Sequence, residues 1–384
     1  MFETVLEAAV AAVISIVLAP VVAWLQSLLS AKHSPEPVVG PGLASNTQAT
    51  SEPDSARGRV KLGVAAAGFA IAVVAAAIWG LANAATQFSA EVFRAAVFEI
   101  GFIQFIGGSI SVLLIALLAY ASTRSENRLT PPALFSPWLI LSSILMAINT
   151  CLFTAAVAFV NAGAIAVLEN MQVVWIALIL TLFLGVSIPA RWFFSAAIVL
   201  CGALFVLEAI PEFSQSQEHL SPLGLAFGLG AGLTFAAFNL TWAKGRELNP
   251  TANFGARTLE MAMMLTLTTI LIVPLFFAFN AVSGDQATFN PMKLPPIHIG
   301  VQFLVGALSI GVTYVLMNEA YEMLKAAGDL RVLIVGLGIS YAVLFTLISE
   351  YAIFGRVVSF DQWIGVVLFS LGFMMVWRDI SKYV

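Results

Sequence analysis

Apolar runs of about 20 residues recur from one end of the chain to the other, and that recurrence limits the fold more than any motif does. In a bilayer every backbone N–H and C=O must be satisfied within its own segment, so runs of this length read as membrane-spanning helices. Charged residues make up 10% of the 384 and hydrophobic ones 60%, with a mean hydropathy of +0.97, too little charge for a soluble domain. No alternating pattern of about ten residues suggests an outer-membrane barrel. The expectation is therefore an all-α polytopic membrane protein. A net charge of −4 points away from a nucleic-acid partner. Cys151 and Cys201 both fall inside apolar runs and say little about redox compartment.

Taken in order, Ala8 to Leu29 is uncharged and interrupted by Pro20. Its head carries Glu3 and Glu7 and no basic residue, unlike a secretory signal, so it reads as an extra N-terminal transmembrane helix rather than an interfacial one. Lys32 to Lys61, rich in Pro, Ser, Gly and charge, reads as a flexible tether without a fold of its own. These make residues 1–60 one unit, followed by five-helix halves over 61–221 and 222–384. The ten segments of the core run near Leu62 to Ala85, Ala95 to Ser122, Pro137 to Val160, Ala162 to Val186 and Trp192 to Ala209 in the first half. In the second they run near Leu223 to Trp242, Leu259 to Val282, Ile299 to Tyr321, Val332 to Phe354 and Ser359 to Trp377. Alternating the crossings puts 14 of the 17 Lys and Arg on one side, which places the tether and C-terminus in the cytoplasm and Met1 outside if the extra helix spans. The alanine-rich composition inclines the reading to a bacterial inner membrane.

Internal repetition follows from two offsets. Shifting by 156 superposes Trp79 on Phe235, Gly80 on Ala236 and Asn83 on Asn239. At the end of each half, Gly185 to Gly202 and Gly355 to Gly372 share a spacing of 17 at an offset of 170. Five helices per repeat is an odd number, so the halves are expected upside down to one another, with a site between them at the midplane. Chance matching of small apolar residues is the competing explanation.

On IWGLAN in the first core helix, FAAFN in the sixth and the paired glycine ends, the sequence resembles the drug/metabolite transporter superfamily, particularly its EamA-like branch, and more distantly the nucleotide-sugar transporters. The resemblance covers about Leu62 to Trp377 and implies a ten-helix carrier of two inverted five-helix repeats. It also implies a central cavity lined by the first, third, fourth, sixth, eighth and ninth helices. The chain departs from the family in having Val186 where a glutamate often follows a Leu-Gly pair, and Gln172 where the nucleotide-sugar transporters commonly carry a lysine. The latter counts against a pyrophosphate-bearing substrate, since phosphate recognition wants Arg or Lys clamps.

Within Asn161 to Gly185, Glu169 and Gln172 sit three residues apart on one helical face. A carboxylate at membrane depth should face protein or a watery cavity, either as a substrate or coupling group or as a structural hydrogen-bonding one. Asn83 and Asn239 occupy repeat-equivalent positions and would either face the cavity symmetrically or bond helix to helix. Tyr314 and Asn318, at i and i+4, share a face suited to a ligand or to ordinary packing. Ser340 and Tyr341 interrupt an apolar run beside Gly336 and Gly338, a weakness that would let a ligand approach backbone. Trp79 is a candidate for stacking on substrate. Arg331 and Glu319 are the candidate gate residues; Glu319 is expected to pair with Lys325, and Arg331 either sits at the cytoplasmic interface or balances Glu169. Glu99, Glu208, Glu260 and Glu350 read as solvated or snorkelling charges near helix ends.

No nucleophile-and-base pair, metal spacing of His33, His219 and His298, or phosphate-binding GxxxxGK[ST] motif is present. No enzyme activity, cofactor or metal is expected. The reading is a secondary-active transporter moving a small cationic, zwitterionic or neutral metabolite across the bilayer by exchange or with protons, a lone buried carboxylate being suited to proton exchange. A membrane scaffold docking a protein partner, or a second copy, through Ala8 to Leu29 is the alternative.

Overall fold

The computed structural model describes residues 54–92, 97–122, 136–157, 167–206, 222–248, 254–283, 289–354 and 359–383. The apolar segment Ala8 to Leu29 and the tether before Asp54 lie outside the described residues, as do Gly355 and Glu208. Regular structure among the described residues is helical throughout: α1 (Asp54–Val92), α2 (Val97–Ser122), α3 (Pro137–Val157), α4 (Val167–Leu182), α5 (Ala190–Val206), α6 (Pro222–Leu248), α7 (Phe254–Ser283), α8 (Pro296–Met323), α9 (Leu330–Ala352) and α10 (Phe360–Tyr383). Seven of these, α1, α2, α3, α6, α7, α8 and α9, are long and apolar enough to cross a membrane. The apolar stretches described for α4, α5 and α10 are shorter, so among the described residues length and composition alone support seven of the expected ten crossings. Residues 54–61, read from sequence as tether, are helical and open α1.

Leu62–Val384 form one compact unit. Within it α5 lies along α10, α2 along α7 and α8, α3 along α6 and α7, and α4 packs on α6 and α9. Lipid tails are as apolar as leucine, so such helices associate by close packing rather than by burial from water, and small residues at the crossings permit it. A Cβ on Gly80 of α1 would lie 2.6 Å from the Ala342 carbonyl of α9, and one on Gly232 of α6 would lie 2.5 Å from the Leu168 carbonyl of α4. Large apolar side chains such as Leu118, Phe183, Phe194 and Met374 are exposed, the pattern of a surface solvated by hydrocarbon.

Three helices depart from regular geometry. Turns at Met171 and Tyr341 interrupt α4 and α9, the second separating Leu330–Ser340 from a stretch that starts at Ala342 and runs two residues past the apolar span, to Phe354. In α8 a π-helical stretch, Ala307–Val312, sits where Gly107 of α2 touches the Phe303 carbonyl and Gly306 touches the backbone of Gln104. The wider turn leaves carbonyls underused, and hydroxyls reach two of them: Ser111 Oγ donates to Ala307 O at 3.1 Å and Thr313 Oγ1 to Leu308 O at 3.4 Å.

Candidate functional site

A cavity of about 680 Å³, counting its open part, lies among α1, α2, α3, α4 and α8. Trp79, Asn83 and Thr86 of α1 line it at steps of three and four residues, so one face of that helix is committed to it. The same periodicity puts Met146, Asn149, Thr150, Phe153 and Thr154 of α3 on its opposite wall. Gln104 and Phe105 come from α2, Glu169 from α4, and Ser309 and Tyr314 from α8. Among the described residues the lining includes none from the sixth and ninth helices, contrary to expectation; α6 contributes rings beneath it instead, and α2 takes part in the lining.

Glu169 is 8% exposed, and its carboxyl accepts a hydrogen bond from the Asn149 side chain. The second Asn149 amide hydrogen goes to Ala231 O at 2.8 Å, so α3 and α6 together fix the donor that meets the acid. Among the described residues no cationic side chain pairs with Glu169, and no Lys, Arg or His lines the cavity.

The floor is aromatic. Trp79 meets Phe235 edge to face at a centroid separation of 5.3 Å, Phe235 stacks on Phe238 at 5.9 Å, and Phe238 meets Tyr314 at 5.8 Å. The Tyr314 hydroxyl donates to Met146 Sδ at 3.2 Å, a weak acceptor for a fully buried phenol. Beneath the rings lies a polar layer in which Tyr321 donates to Asn239 Oδ1 (3.0 Å), Asn239 Nδ2 donates to Gln172 Oε1 (2.8 Å), and Trp242 Nε1 donates to Asn318 Oδ1 (3.3 Å). Gln172 is 1% exposed and its Nε2 has no protein acceptor.

Beyond that layer α6, α7, α8 and α9 are tied by buried ions. Arg246 bonds Glu260 at 2.7 Å and Glu322 at 3.1 Å, Arg257 grips both oxygens of Glu319 at 2.8 and 2.9 Å, and Arg331 reaches Glu247 at 3.2 Å and Ala243 O at 2.9 Å. At the other end of α8, Gln302 Nε2 donates to Ser89 Oγ at 2.6 Å and its Oε1 accepts from Gln104 Nε2 at 2.6 Å. Gln302 and Glu319 are 17 residues apart on α8, so the amide cluster and the ionic cluster are separated by about 25 Å at ~1.5 Å per residue.

The structure thus gathers Trp79, Asn83, Glu169 and Tyr314 at one cavity and puts Gln172, Asn239 and Asn318 in the layer below it. Asn83 and Asn239 therefore differ in surroundings despite their repeat-equivalent positions. Ser340 donates to Gly336 O at 3.0 Å, Tyr341 packs on Phe369 at 5.4 Å, and neither lines the cavity. Glu319 pairs with Arg257 and not with Lys325, whose nearest carboxylate is Glu322 at 3.9 Å; a donor on the neighbouring helix α7 outcompetes one in the turn just past the end of α8. Arg331 sits at the ionic end and is paired with Glu247 rather than Glu169. Glu99 and Glu260, read as solvated, are 4% and 6% exposed: Glu99 accepts from Asn290 N–H at 3.1 Å and Glu260 holds Arg246. Sequence reasoning missed Gln104, Asn149, Thr150, Thr154 and Ser309, although the polar residues of α3 fall at helical spacing within INTCLFT and carried the signal.

A search of curated proteins finds no match. Among solved structures, one titled only as the crystal structure of a protein shares the fold, with a TM-score of 0.59 over 81% of this chain and 95% of its own, at 13% identity. Residues 66–208, which carry α1 through α5 and the Glu169 wall of the cavity, match the EamA-like transporter family, in agreement with the resemblance to the EamA branch of the drug/metabolite transporter superfamily.

Proposed function

We propose that the chain is a secondary-active transporter of a small cationic, zwitterionic or neutral metabolite, working by alternating access between inverted halves at 61–221 and 222–384. The observation that carries the reading is the asymmetry of the bundle's two ends. On one side of the aromatic floor is a cavity with a single acid, and on the other the helices are fastened by Arg246, Arg257 and Arg331 to carboxylates of neighbouring helices, where the pocket beside Arg246 and Glu260 is less than half the size, about 300 Å³. The basic residues of that fastened end belong to the charge-rich side of the chain, so the cavity faces outward and the ion pairs close the cytoplasmic path. The C-terminus is then cytoplasmic, in a bacterial inner membrane.

Two features support the inverted repeat. α2 packs on α7, α4 on α9 and α5 on α10, so three helices each touch the one five places later, and the α2 with α8 contact is answered by α7 with α3. The helix interruptions at Met171 and Tyr341 are also 170 residues apart, the offset of the paired glycines. In this reading Glu169 carries the coupling proton or meets a cationic group. Gln172, Asn239 and Asn318 belong to the path exposed when the ionic end opens, and Trp79 and Tyr314 form the barrier between the two paths.

The test is flux into vesicles reconstituted with the purified protein. Glu169→Gln is expected to abolish proton-dependent uptake while leaving expression intact; unchanged uptake removes the proposed role.

A further inference from the structure

The cavity's chemistry narrows its ligand further than charge alone. Its threonine hydroxyls are committed as donors within their own helices: Thr86 Oγ1 to Ala82 O at 2.8 Å, Thr150 Oγ1 to Met146 O at 2.9 Å, Thr154 Oγ1 to Thr150 O at 2.8 Å. A carbonyl can only accept, so each of these hydroxyls turns only oxygen lone pairs to any further partner. The Gln104 amide spends both hydrogens, on Thr86 Oγ1 (2.8 Å) and Gln302 Oε1 (2.6 Å). The Asn149 amide spends both on Ala231 O and Glu169. Tyr314 directs its hydrogen at Met146 Sδ. What remains on the wall is mostly acceptor: the Glu169 carboxyl and the oxygens of Thr150, Thr154 and Tyr314, with Asn83, Ser309 and the Trp79 indole as the lining side chains that retain donors.

Resting on the carrier reading of this same cavity, we infer that its ligand is a protonated amine on an apolar, ring-sized body. An ammonium brings N–H donors to a wall on which acceptors predominate, and a positive charge to Glu169, which no cationic side chain meets among the described residues. Trp79, Phe105 and Phe153 offer rings to its body, and an aromatic face attracts a cation. An anion or the carboxylate of a zwitterion meets no lysine, arginine or histidine on the lining and is repelled by Glu169.

The experiment is calorimetric titration of the purified full-length protein with phenethylammonium, phenyltrimethylammonium, phenethyl alcohol, 3-phenylpropionate and phenylalanine, followed by counterflow of the same probes in proteoliposomes. Phenethylammonium is expected to bind at least about tenfold more tightly than the alcohol, the acid or the amino acid. The quaternary analogue, lacking N–H donors, is expected to fall between. Glu169→Gln should lose the amine by a similar factor, and Glu169→Asp, which keeps the charge, should restore part of it; a melting profile close to that of the parent protein separates this from misfolding. Equal binding of the acid or of phenylalanine, an amine indifferent to Glu169→Gln, or no binding by either cation overturns the inference. Flux of phenylalanine without amine binding would leave the carrier standing and remove the amine, whereas amine binding without flux of any probe would do the reverse.

Discussion

Gly202 and Gly372 make one contact written twice in opposite directions. A Cβ on Gly202 would press on Gly365 O and Phe369 N at 2.7 and 2.5 Å, and one on Gly372 would press on Ser195 O and Val199 N, each at 3.0 Å. Subtracting 170 turns Gly372 into Gly202, Gly365 into Ser195 and Phe369 into Val199, so α5 and α10 exchange equivalent surfaces as an isologous pair does. A side chain at either glycine must drive the backbones apart. Gly202→Val and Gly372→Val are each expected to destabilise the protein by about 1–3 kcal/mol, and by similar amounts. Thermal melting in detergent checks this; a large loss at one position and none at the other would count against the repeat relation.

Legibility from sequence divided along physical lines. Approximate helix position follows from apolar length, which is a local property, and α3, for which Pro137 to Val160 was expected, forms at Pro137–Val157. Glu169 was legible because a lone acid in apolar sequence is costly anywhere in a bilayer. The interruption at Tyr341 falls where Ser340, Gly336 and Gly338 marked a weak stretch of helix, whereas the one at Met171 carried no such signal. Nor were the partners of Arg246 and Arg257 legible, because which carboxylate an arginine finds depends on the approach of α6, α7 and α8, not on spacing along one helix. The commitment of the threonines was half legible: a back-bond to the i−4 carbonyl is the ordinary habit of threonine in a helix, but which oxygens then face a cavity needs the bundle.

Arg246 is 6% exposed and holds two carboxylates, so removing it alone takes the cation from a Glu260 that is itself only 6% exposed. Arg246→Met is expected to cost about 3–5 kcal/mol, and Arg246→Met with Glu260→Met to recover much of it, since a matched apolar pair replaces a buried ion pair with little loss. If the ionic end is a closed gate, the single variant also raises labelling of Tyr321→Cys by an impermeant thiol reagent added from that side. Melting curves and labelling together are the measurement, and a double variant as damaged as the single one would show that the pair is not the relevant unit.

The compact unit begins at Leu62, and every described residue that lines the cavity belongs to it. Deleting residues 1–53 is therefore expected to leave vesicle flux within about twofold of the full chain, a change below ~0.5 kcal/mol. Co-purification of a protein partner with the full chain, lost on deletion while flux is absent in both, would favour the scaffold alternative.

Tyr314 separates stability from ligand handling because its ring and its hydroxyl have different partners. The ring packs in the floor against Phe238 and Trp79, at centroid separations of 5.8 and 6.1 Å, and carries most of its packing. The hydroxyl meets only Met146 Sδ among the described hydrogen-bond partners, and a thioether is so weak an acceptor that losing the bond should cost under ~1 kcal/mol. Tyr314→Phe should then melt close to the parent protein but transport with a raised KM, because the oxygen it lacks is one the ligand's donors would use. Tyr314→Ala should instead open the floor, lower the melting temperature, and let the cavity and the polar layer around Asn239 communicate, which uncoupled leak of solute through vesicles would report. A Phe variant that loses stability as the Ala variant does would place the hydroxyl in the scaffold and not in the path.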